Sequence, residues 1–370
     1  MPEKIGNLGY LALKKEATSG TAVIPNVFVP LYSDDLTTNL NLDENAPIMG
    51  HQFARHLTRK GMRTHTGSFT TLSEPNTAGY LFDMIYGKGT TTGSDPYTHP
   101  FTVNGSNNSY TIDVAKGSQH VIRYFGVEAS AIEPSFEANE MRLQVSVNAR
   151  ASFTSRTIAS TSGTGPTTIV LNTDYDESPT TGLVVSDLVQ MYDVSGDVYV
   201  NGTVASIVNG TSFTVTEDLS SAAAGDIITL RPQTASYSLK EPFCLSNTEY
   251  RFADTAANAL TATQTRLEQD SSWTLSHEFE NDGGSQRTGG KDPASLPRTL
   301  AGAELTAKKF FDSPQEMARW TDITKRACVI RHFSESQAYE LRITLNNIKI
   351  RNGGDPALNS GEIVYQELEY

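Results

Sequence analysis

The sequence predicts a mainly β protein: a duplicated β-sandwich or barrel with one flanking helix per copy, plus a small all-β inserted domain. Three observations support this prediction. Apolar and polar residues alternate along several long stretches. The order of the predicted elements repeats in the two halves of the 370-residue chain. The region between the halves has its own composition, with closely spaced short strands and no helix signal.

Long two-faced strands are the clearest elements. From 141 to 153, apolar side chains hold the odd positions and polar side chains the even ones. Residues 339–345 alternate in the same way, and the following Asn346-Asn347 pair predicts a β-bulge. A third strand of this kind covers 271–280, and a weaker one covers 34–44.

Two helices are predicted, one in each half. The first covers 75–86, and Gly87 is expected to end it. The second covers 314–325, with Ser313 as N-cap, Pro314 at the first helical position and Glu316 completing a capping box. In each half a strand and a long loop (45–66 or 281–298) precede a second strand, the helix and further strands. We therefore predict β-domains at 1–155 and 233–370.

Residues 156–232 are predicted to form the inserted domain, a small barrel or sandwich. Two Asn-Gly turns, at Asn201 and Asn209, join short strands. Nine acidic residues stand against two basic ones, Arg156 and Arg231, for a net charge of −7 of the −13 total. The acidic residues are Asp174, Asp176, Glu177, Asp187, Asp193, Asp197, Glu217, Asp218 and Asp226.

Composition excludes several classes of function. A net charge of −13 argues against a protein that grips nucleic acid, although not against one that lets nucleic acid pass. Cys244 and Cys328 are far apart in sequence and are expected to be reduced structural thiols. No apolar stretch resembles a secretory signal or a membrane span, so we expect a soluble protein made in the cytoplasm, with no membrane partner.

No motif converges on catalysis, so we predict that the protein is not an enzyme and needs no cofactor. The stretches 11–25 and 283–295 contain Gly and Lys, but neither has the phosphate-loop spacing followed by a helix. The seven histidines lack metal-ligand spacing, and no nucleophile elbow is present. Residues 172–178 resemble a fragment of a calcium loop; a solvated acidic turn and adventitious calcium binding both remain open.

The chain resembles the tail tube proteins of long-tailed (siphovirus-like) bacteriophages. The stretches that carry the resemblance are LALKKEATSGTAVIP, VPLYSDDLTTNLN, GSFTTLSEPNTAGYLFDMIYG, YTHPFTV and SYTIDVAKG, with a long alternating strand near the end. The resemblance covers roughly 1–155 and 236–370. It implies a structural subunit of stacked rings, a β-sandwich with a flanking helix, long strands joined around a channel for DNA, and a loop bridging the rings.

Specific residues follow from this resemblance. The loop 45–66 is basic and free of acids from 45 to 65, and it is either a floppy surface or an arm that orders on an acidic neighbour. The predicted ring-stacking residues are Arg55, His56, Arg59, Lys60, Arg63, Arg287 and Lys291. The predicted channel-facing residues are Asp35, Thr37, Asn39, Asn41, Asp43, Arg142, Gln144, Ser146, Asn148, Arg150, Thr274, Ser276, Glu278, Glu280, Glu340, Arg342, Thr344 and Asn346.

The resemblance also implies partners. Two copies per subunit favour a trimeric, pseudo-hexameric ring, with a hexameric ring as the second choice. The other expected partners are the tape measure, tail terminator and distal tail proteins, with transient passage of double-stranded DNA and no specific binding. The expected location is the virion tail, assembled in the host cytoplasm, with the insert outside the tube. A second possible function is that of another virion protein, a decoration or adhesin protein with a binding module. A third is that of an enzyme acting on glycans or peptidoglycan.

Overall fold

The fold is described from a computed structural model. The structure describes residues 9–41, 43–45, 57–59, 61–103, 108–173, 178–268, 270–280, 292–293, 295–310, 314–353 and 365–370. Of the predicted stacking residues, Arg55, His56, Lys60, Arg287 and Lys291 lie outside these ranges, as do the cap Ser313 and most of the acidic turn at 172–178.

In the described part of the first half, eleven strands and one helix form. They are β1 (Tyr10–Lys15), β2 (Val27–Val29), β3 (Leu31–Asp34), β4 (Thr37–Asn39), β5 (Asp43–Asn45), β6 (Leu57–Arg59), β7 (Thr64–Leu72), α1 (Pro75–Ile85), β8 (Tyr110–Ala115), β9 (Val121–Glu137), β10 (Glu140–Ala149) and β11 (Ala151–Phe153).

The inserted region forms a closed six-stranded barrel. Its strands are β12 (Arg156–Ser162), β13 (Thr167–Leu171), β14 (Leu188–Asp193), β15 (Val198–Ile207), β16 (Ser212–Val215) and β17 (Ile227–Leu230). The pairing runs β12–β13–β16–β15–β14–β17 and returns to β12, so every barrel strand has two neighbours. Closure removes free strand edges from this region.

The second half, as far as it is described, forms eight strands and two helices. They are β18 (Phe243–Ala253), α2 (Ala256–Thr261), β19 (Gln264–Thr265), β20 (Ser272–Phe279), β21 (Arg298–Phe310), α3 (Gln315–Thr321), β22 (Arg326–Ser334), β23 (Glu340–Ile348), β24 (Asn352–Gly353) and β25 (Tyr365–Glu369).

The two halves repeat one pattern of strand pairing, which confirms the predicted duplication. β1 pairs with β2 and β8, as β18 pairs with β19 and β22. The β8–β9 pair corresponds to β22–β23. β3 and β4 pair with β7, as β20 pairs with β21. The order β7–β10–β9 corresponds to β21–β25–β24. β23 and β24 together therefore take the place of the single long strand β9.

A continuous antiparallel sheet joins the halves, and we call it the eight-strand sheet. Its order is β3/β4, β7, β10, β9, β20, β21, β25, β24, with β9 and β20 pairing where the halves meet. A second layer consists of the β1 sheet (β2, β1, β8 and the first part of β9) and the β22 sheet (β19, β18, β22, β23). One hydrophobic core fills the space between the layers.

The barrel packs on the far side of the β1 sheet. Tyr10, Ala12 and Val121 point away from the main core and join the barrel's own apolar cluster. The buried Arg123 bonds to Asp113 of the body at 2.7 Å and to Asp187 of the inserted region at 2.7 Å. The layers are therefore the eight-strand sheet, the β1 sheet and the barrel, and the barrel shares its core with the body.

The first helix agrees with its prediction. Glu74 is the N-cap and accepts from the backbone N–H of Asn76, and Pro75 begins α1. Gly87, just after the helix, has a φ of 94°, a conformation that favours glycine. Leu81 and its neighbours bury one face of the helix in the main core.

The second predicted helix is shorter than expected. α3 covers Gln315–Thr321 in place of 314–325, and Pro314 occupies the N-cap without a side-chain hydrogen bond. The helix ends early because Ile323 has a φ of 52°, which no α-helix allows. The sequence prediction missed α2, a helix capped by Thr255 that packs Ala259 against the β22 sheet.

The remaining sequence predictions fare unevenly. The predicted bulge in β23 is confirmed by a register shift and by a φ of 58° at Asn347. Arg150 interrupts the strand predicted over 141–153, which separates β10 from β11. Cys244 and Cys328 are both free and buried. None of the helices in the described part of the chain has the length and apolarity that a bilayer crossing requires.

Candidate assembly surfaces

One face of the eight-strand sheet is polar. On β10, Met141, Leu143 and Val145 are buried in the core, so the side chains between them point to the opposite face. That face carries four of the predicted channel residues: Arg142, Gln144, Ser146 and Asn148. The alternation in the sequence therefore reports the two faces of this strand.

β20 continues the polar face into the second half. Its buried side chains alternate with polar ones. The predicted channel residues on its polar side are Thr274, Ser276 and Glu278. Ser276 lies opposite Ala131 of β9, so the polar surfaces of the two halves adjoin directly. Glu280 is exposed just beyond the end of β20.

The β3–β4 edge carries a third group of predicted channel residues. Asp35, Thr37 and Asn39 are exposed there. The single strand predicted over 34–44 is instead divided into β3, β4 and β5, and β5 pairs with β6 rather than with β7. Asn41 follows β4 with a φ of 42°, which ends extended pairing, and Asp43 lies on β5.

The structure does not bring the fourth group to this face. Glu340, Arg342, Thr344 and Asn346 lie on β23 in the β22 sheet, and their exposed side belongs to the second layer. Glu340 accepts from Arg331 at 2.7 Å and from Arg342 at 2.8 Å. Burial acts to raise the pKa of Glu340, but the hydrogen bonds from Arg331 and Arg342, together with the charges of these two guanidinium groups, outweigh it and lower the pKa. This ion network ties β23 to β22.

The side chain of Arg150 does not lie on the polar face either. Its guanidinium donates to the carbonyl of Ser19 at 2.7 Å. The left-handed Gly20 and Gly126 lie against this side chain, where a Cβ on either would approach it to under 3 Å. Arg150 therefore holds the turn after β1 rather than contributing to a surface.

The described parts of the predicted stacking loops meet within one chain. Arg63 is buried and its Nη2 contacts Asp292 at 2.6 Å. The buried His65 places Nε2 at 3.1 Å from the same carboxylate. Arg59 lies on β6, of which only the backbone is described. Arg63 thus ties the base of the first loop to the second loop.

The polar face of the eight-strand sheet is acidic. Among the described residues, acidic side chains clearly outnumber the three basic ones on this face and at its margins. The acidic residues include Asp35, Glu133, Glu137, Glu140, Glu278, Glu280, Glu304, Glu367 and Glu369. The basic residues are Arg142, Lys308 and Arg351. Arg142 is itself ion-paired with Glu137, which reduces its reach toward a polyanion.

A polar clasp at the junction between the halves was missed from the sequence. Arg298 of β21 donates to the carbonyls of Met84 at 2.9 Å and Ile85 at 2.8 Å, at the carboxyl end of α1. Its Nε donates to Glu128 at 2.6 Å. His277 Nδ1 lies 3.2 Å from the Ile85 carbonyl. A basic group satisfies the free carbonyls and the negative end of the helix dipole.

The electrostatics of this clasp follow from burial. Burial raises the pKa of Glu128, and the Arg298 charge opposes that shift. Burial also lowers the pKa of His277, and the nearby Arg298 adds to that effect. The one indication of the clasp in the sequence is an absence: the last turn of α1 contains no basic residue of its own. Nothing local pointed to a partner more than 200 positions away.

The described residues contain no group of three or more His, Cys, Asp or Glu side chains placed to hold a metal ion. The polar surfaces described above consist of hydrogen-bonding and charged groups spread over several strands. Such an arrangement suits contact with other macromolecules or with water more than the chemistry of one substrate.

Comparison with known protein families finds a match. A family model described as phage tail tube protein matches residues 6–307, well over half of the chain. The matched span includes the inserted barrel as well as the eight-strand sheet as far as β21. A search of the curated proteins finds no match.

Proposed function

The chain belongs to the phage tail tube protein family, and from this premise we propose that it assembles into stacked rings enclosing a channel for DNA delivery. The observation that carries the proposal is the eight-strand sheet, which has one acidic polar face and one apolar face and is built from two equivalent halves. We propose that the polar face lines the channel and that the subunit has no catalytic role.

We propose a trimeric ring in preference to a hexameric one. Each chain supplies two repeats, so three chains supply a pseudo-sixfold set with 24 strand positions around the axis, from eight positions per chain. Barrels of 16–18 strands already enclose a water-filled channel, so a ring of this size leaves ample space. Closure also removes the two open ends of the sheet.

The acidity of the lining suits a conduit. A surface that binds DNA neutralises phosphates with clustered Lys and Arg, whereas acidic side chains outnumber basic ones among the described residues of this face. Like charge on the wall and the DNA favours passage over retention. This supports transient passage of double-stranded DNA without specific binding.

We place the insert on the outside of the tube, with domain boundaries at 155/156 and 232/233. The order of layers supports this, because the β1 sheet separates the barrel from the eight-strand sheet. A barrel with no free strand edge contacts other molecules only through side chains and loops. The other partners we propose are the tape measure, tail terminator and distal tail proteins. The location is the virion tail after assembly in the host cytoplasm.

The family statement and the proposed assembly are tested together by cryo-electron microscopy of the purified protein. We expect stacked rings with three chains each, the acidic face toward the axis and the barrel outside. Six chains per ring would overturn the trimer, and a protein that stays monomeric at high concentration and in purified tails would overturn the assembly. Filter binding of double-stranded DNA to intact tubes at low salt should show no retention beyond that of the open tube ends.

A further inference from the structure

The geometry points to a defined contact between two copies of this chain, which rests on the proposed ring. The β24 edge of one chain pairs with the β3–β4 edge of the next, reproducing the β9–β20 pairing within each chain. Each chain thus contains a covalently joined example of the contact that it makes with its neighbour.

The example is the antiparallel contact of β9 with β20. Ile132 lies opposite Leu275, and Ala131 lies opposite Ser276. Ile132 and Leu275 are buried in the main core, so the contact carries apolar packing as well as backbone pairing. One step further along the same antiparallel register, Glu133 comes opposite Thr274 on the polar face.

The first-half counterpart of β20 follows from two pairings. Phe69 and Leu305 are the corresponding buried residues of β7 and β21; Asp34 lies opposite Phe69, and Trp273 lies opposite Leu305. Asp34 and Trp273 therefore hold the same place in the repeat. The residues that follow them, Asp35 in the first half and Thr274 in the second, therefore also correspond, and both lie on the polar side.

The pairing of His65 with Thr38 gives the same alignment. His65 lies opposite Thr38, and Ala301 lies opposite His277. The difference in residue number between corresponding positions is therefore the same as in the first comparison, both between β7 and β21 and between the β3–β4 edge and β20. Leu36 therefore corresponds to Leu275 in the repeat, and both side chains are buried. The β3–β4 edge therefore matches β20 in register and in burial.

The second-half counterpart of β9 is fixed in the same way. Leu143 of β10 and Leu368 of β25 are corresponding buried residues, opposite Thr71 and Ala307 respectively. On its other side, β10 pairs with β9, and there Leu143 lies opposite Pro134.

Leu368 lies opposite Gly353 of β24. Gly353 therefore corresponds to Pro134, and Asn352 corresponds to Glu133. Because Glu133 faces Thr274 within the chain, Asn352 of one chain should face Asp35 of the next. Both of these side chains are exposed in the single chain.

A second copy is the occupant that fits both edges at once. In the described part of the chain, β3 and β4 pair only with β7, and β24 pairs only with β25. An open strand edge recruits another strand, and two different but complementary edges on one molecule make a head-to-tail contact. Repeating that contact closes a ring when the rotation per copy divides a full turn.

The test is a pair of introduced cysteines. Residues directly opposite on neighbouring antiparallel strands have Cβ atoms about 4.5–5.5 Å apart, close to disulfide range. We expect Asp35→Cys with Asn352→Cys to form disulfides between chains on oxidation of assembled rings. On a non-reducing gel the covalent species should include dimers and end at a closed trimer.

Two matched pairs act as controls. Ala131→Cys with Ser276→Cys should form its disulfide within one chain and leave a monomer band. Asp35→Cys with Glu340→Cys, whose second site lies on the β22 sheet, should give no disulfide. Rings that are visible by microscopy but show no cross-link from the Asp35–Asn352 pair would overturn this contact and leave the ring proposal standing. The absence of rings in the wild type would overturn the ring proposal itself.

Hydrogen exchange of the wild-type protein gives a second measurement that does not depend on the folding of a variant. In the unassembled subunit the amides of Asp35 and Arg351 already donate to the carbonyls of Ser68 and Glu369. The readout is therefore the amides of 36–38 and 352–353 that point away from β7 and β25, which should exchange rapidly in the unassembled subunit and slow by at least tenfold in rings, because pairing protects them. Unchanged exchange in both segments on assembly would contradict the contact. The exposed turn at 194–197, on the barrel, serves as the internal reference and should keep its rate.

Discussion

A buried histidine should make the folded subunit sensitive to acid. His332 is fully buried between the two layers of the second half. Trp273 Nε1 donates to His332 Nε2 at 3.0 Å. Because an indole N–H can only donate, Nε2 is unprotonated and the neutral ring carries its proton on Nδ1. Nδ1 then donates to Thr248 Oγ1 at 2.9 Å, and that hydroxyl donates to the Cys244 carbonyl.

The magnitude follows from the pKa. Burial lowers the pKa of His332 from 6.5 to about 3. In the unfolded chain the ring takes up a proton near pH 6.5, while the folded protein holds it neutral until about pH 3. The free energy of unfolding therefore falls as the pH drops through this window, by about 1.4 kcal/mol per pH unit and roughly 5 kcal/mol in all.

The assay is urea unfolding followed by circular dichroism at pH 7, 6, 5 and 4, with unassembled subunit. His332→Gln keeps an acceptor for Trp273 and a donor for Thr248 but does not titrate. Its free energy of unfolding should lose about 1.4 kcal/mol less per pH unit than that of the wild type between pH 6 and 4. His99→Gln, at an exposed site, should follow the wild type.

Comparing the two proteins removes the contribution of other groups. Carboxylates with raised pKa values, such as Asp113, Glu128 and Asp187, act in the opposite direction in both proteins, and their contributions cancel. Equal pH slopes for the wild type and His332→Gln would refute the reasoning, since they would mean that the buried ring is protonated in the fold.

Three further predictions concern the body and the loops. Arg123→Met leaves two buried carboxylates without their cation and should lower the free energy of unfolding by about 3–5 kcal/mol, measured by urea titration; a loss under about 1 kcal/mol contradicts the clamp between body and barrel. Leu143→Asp buries a charge in the main core and should leave the protein insoluble. Gln144→Asp, one position along, should stay soluble, and the reverse outcome would mean that the two faces are exchanged. Arg59→Glu with Lys60→Glu should shorten or abolish tubes while circular dichroism stays unchanged, and tube lengths equal to wild type by microscopy would remove the loop from ring stacking.

Alternation predicted which side chains of a strand share a face, but not which sheet the strand joins. β10 and β23 show the same pattern, with apolar and polar residues in turn. Only β10 belongs to the eight-strand sheet, whereas β23 lies in the second layer. Burial of one side gives a period of two in any sheet of a sandwich, so the pattern carries no information about the layer.

The inserted barrel shows a second limit. Its short strands and the turn at Asn209 were readable, and a small β-barrel was predicted. The turn predicted at Asn201 was wrong, because Asn201 and Gly202 lie within β15 and pair with β14. The attachment of the barrel was not predicted, because Tyr10 and Ala12 on β1 point away from the main core and into the barrel cluster. Apolar residues on both sides of a strand predict that it is buried, but they do not indicate which element covers each side.

The sequence by itself determined the β class, the duplication, the first helix and the polar and apolar faces of the long strands. Local spacing is enough for these, since turn residues, caps and a period of two act over a few positions. Only the tertiary structure decided that β9 and β20 join the halves, that Arg298 clasps α1, and that Arg63 bonds to Asp292. These contacts join residues more than 140 positions apart, and their free energy depends on burial and geometry that exist only once the chain has folded.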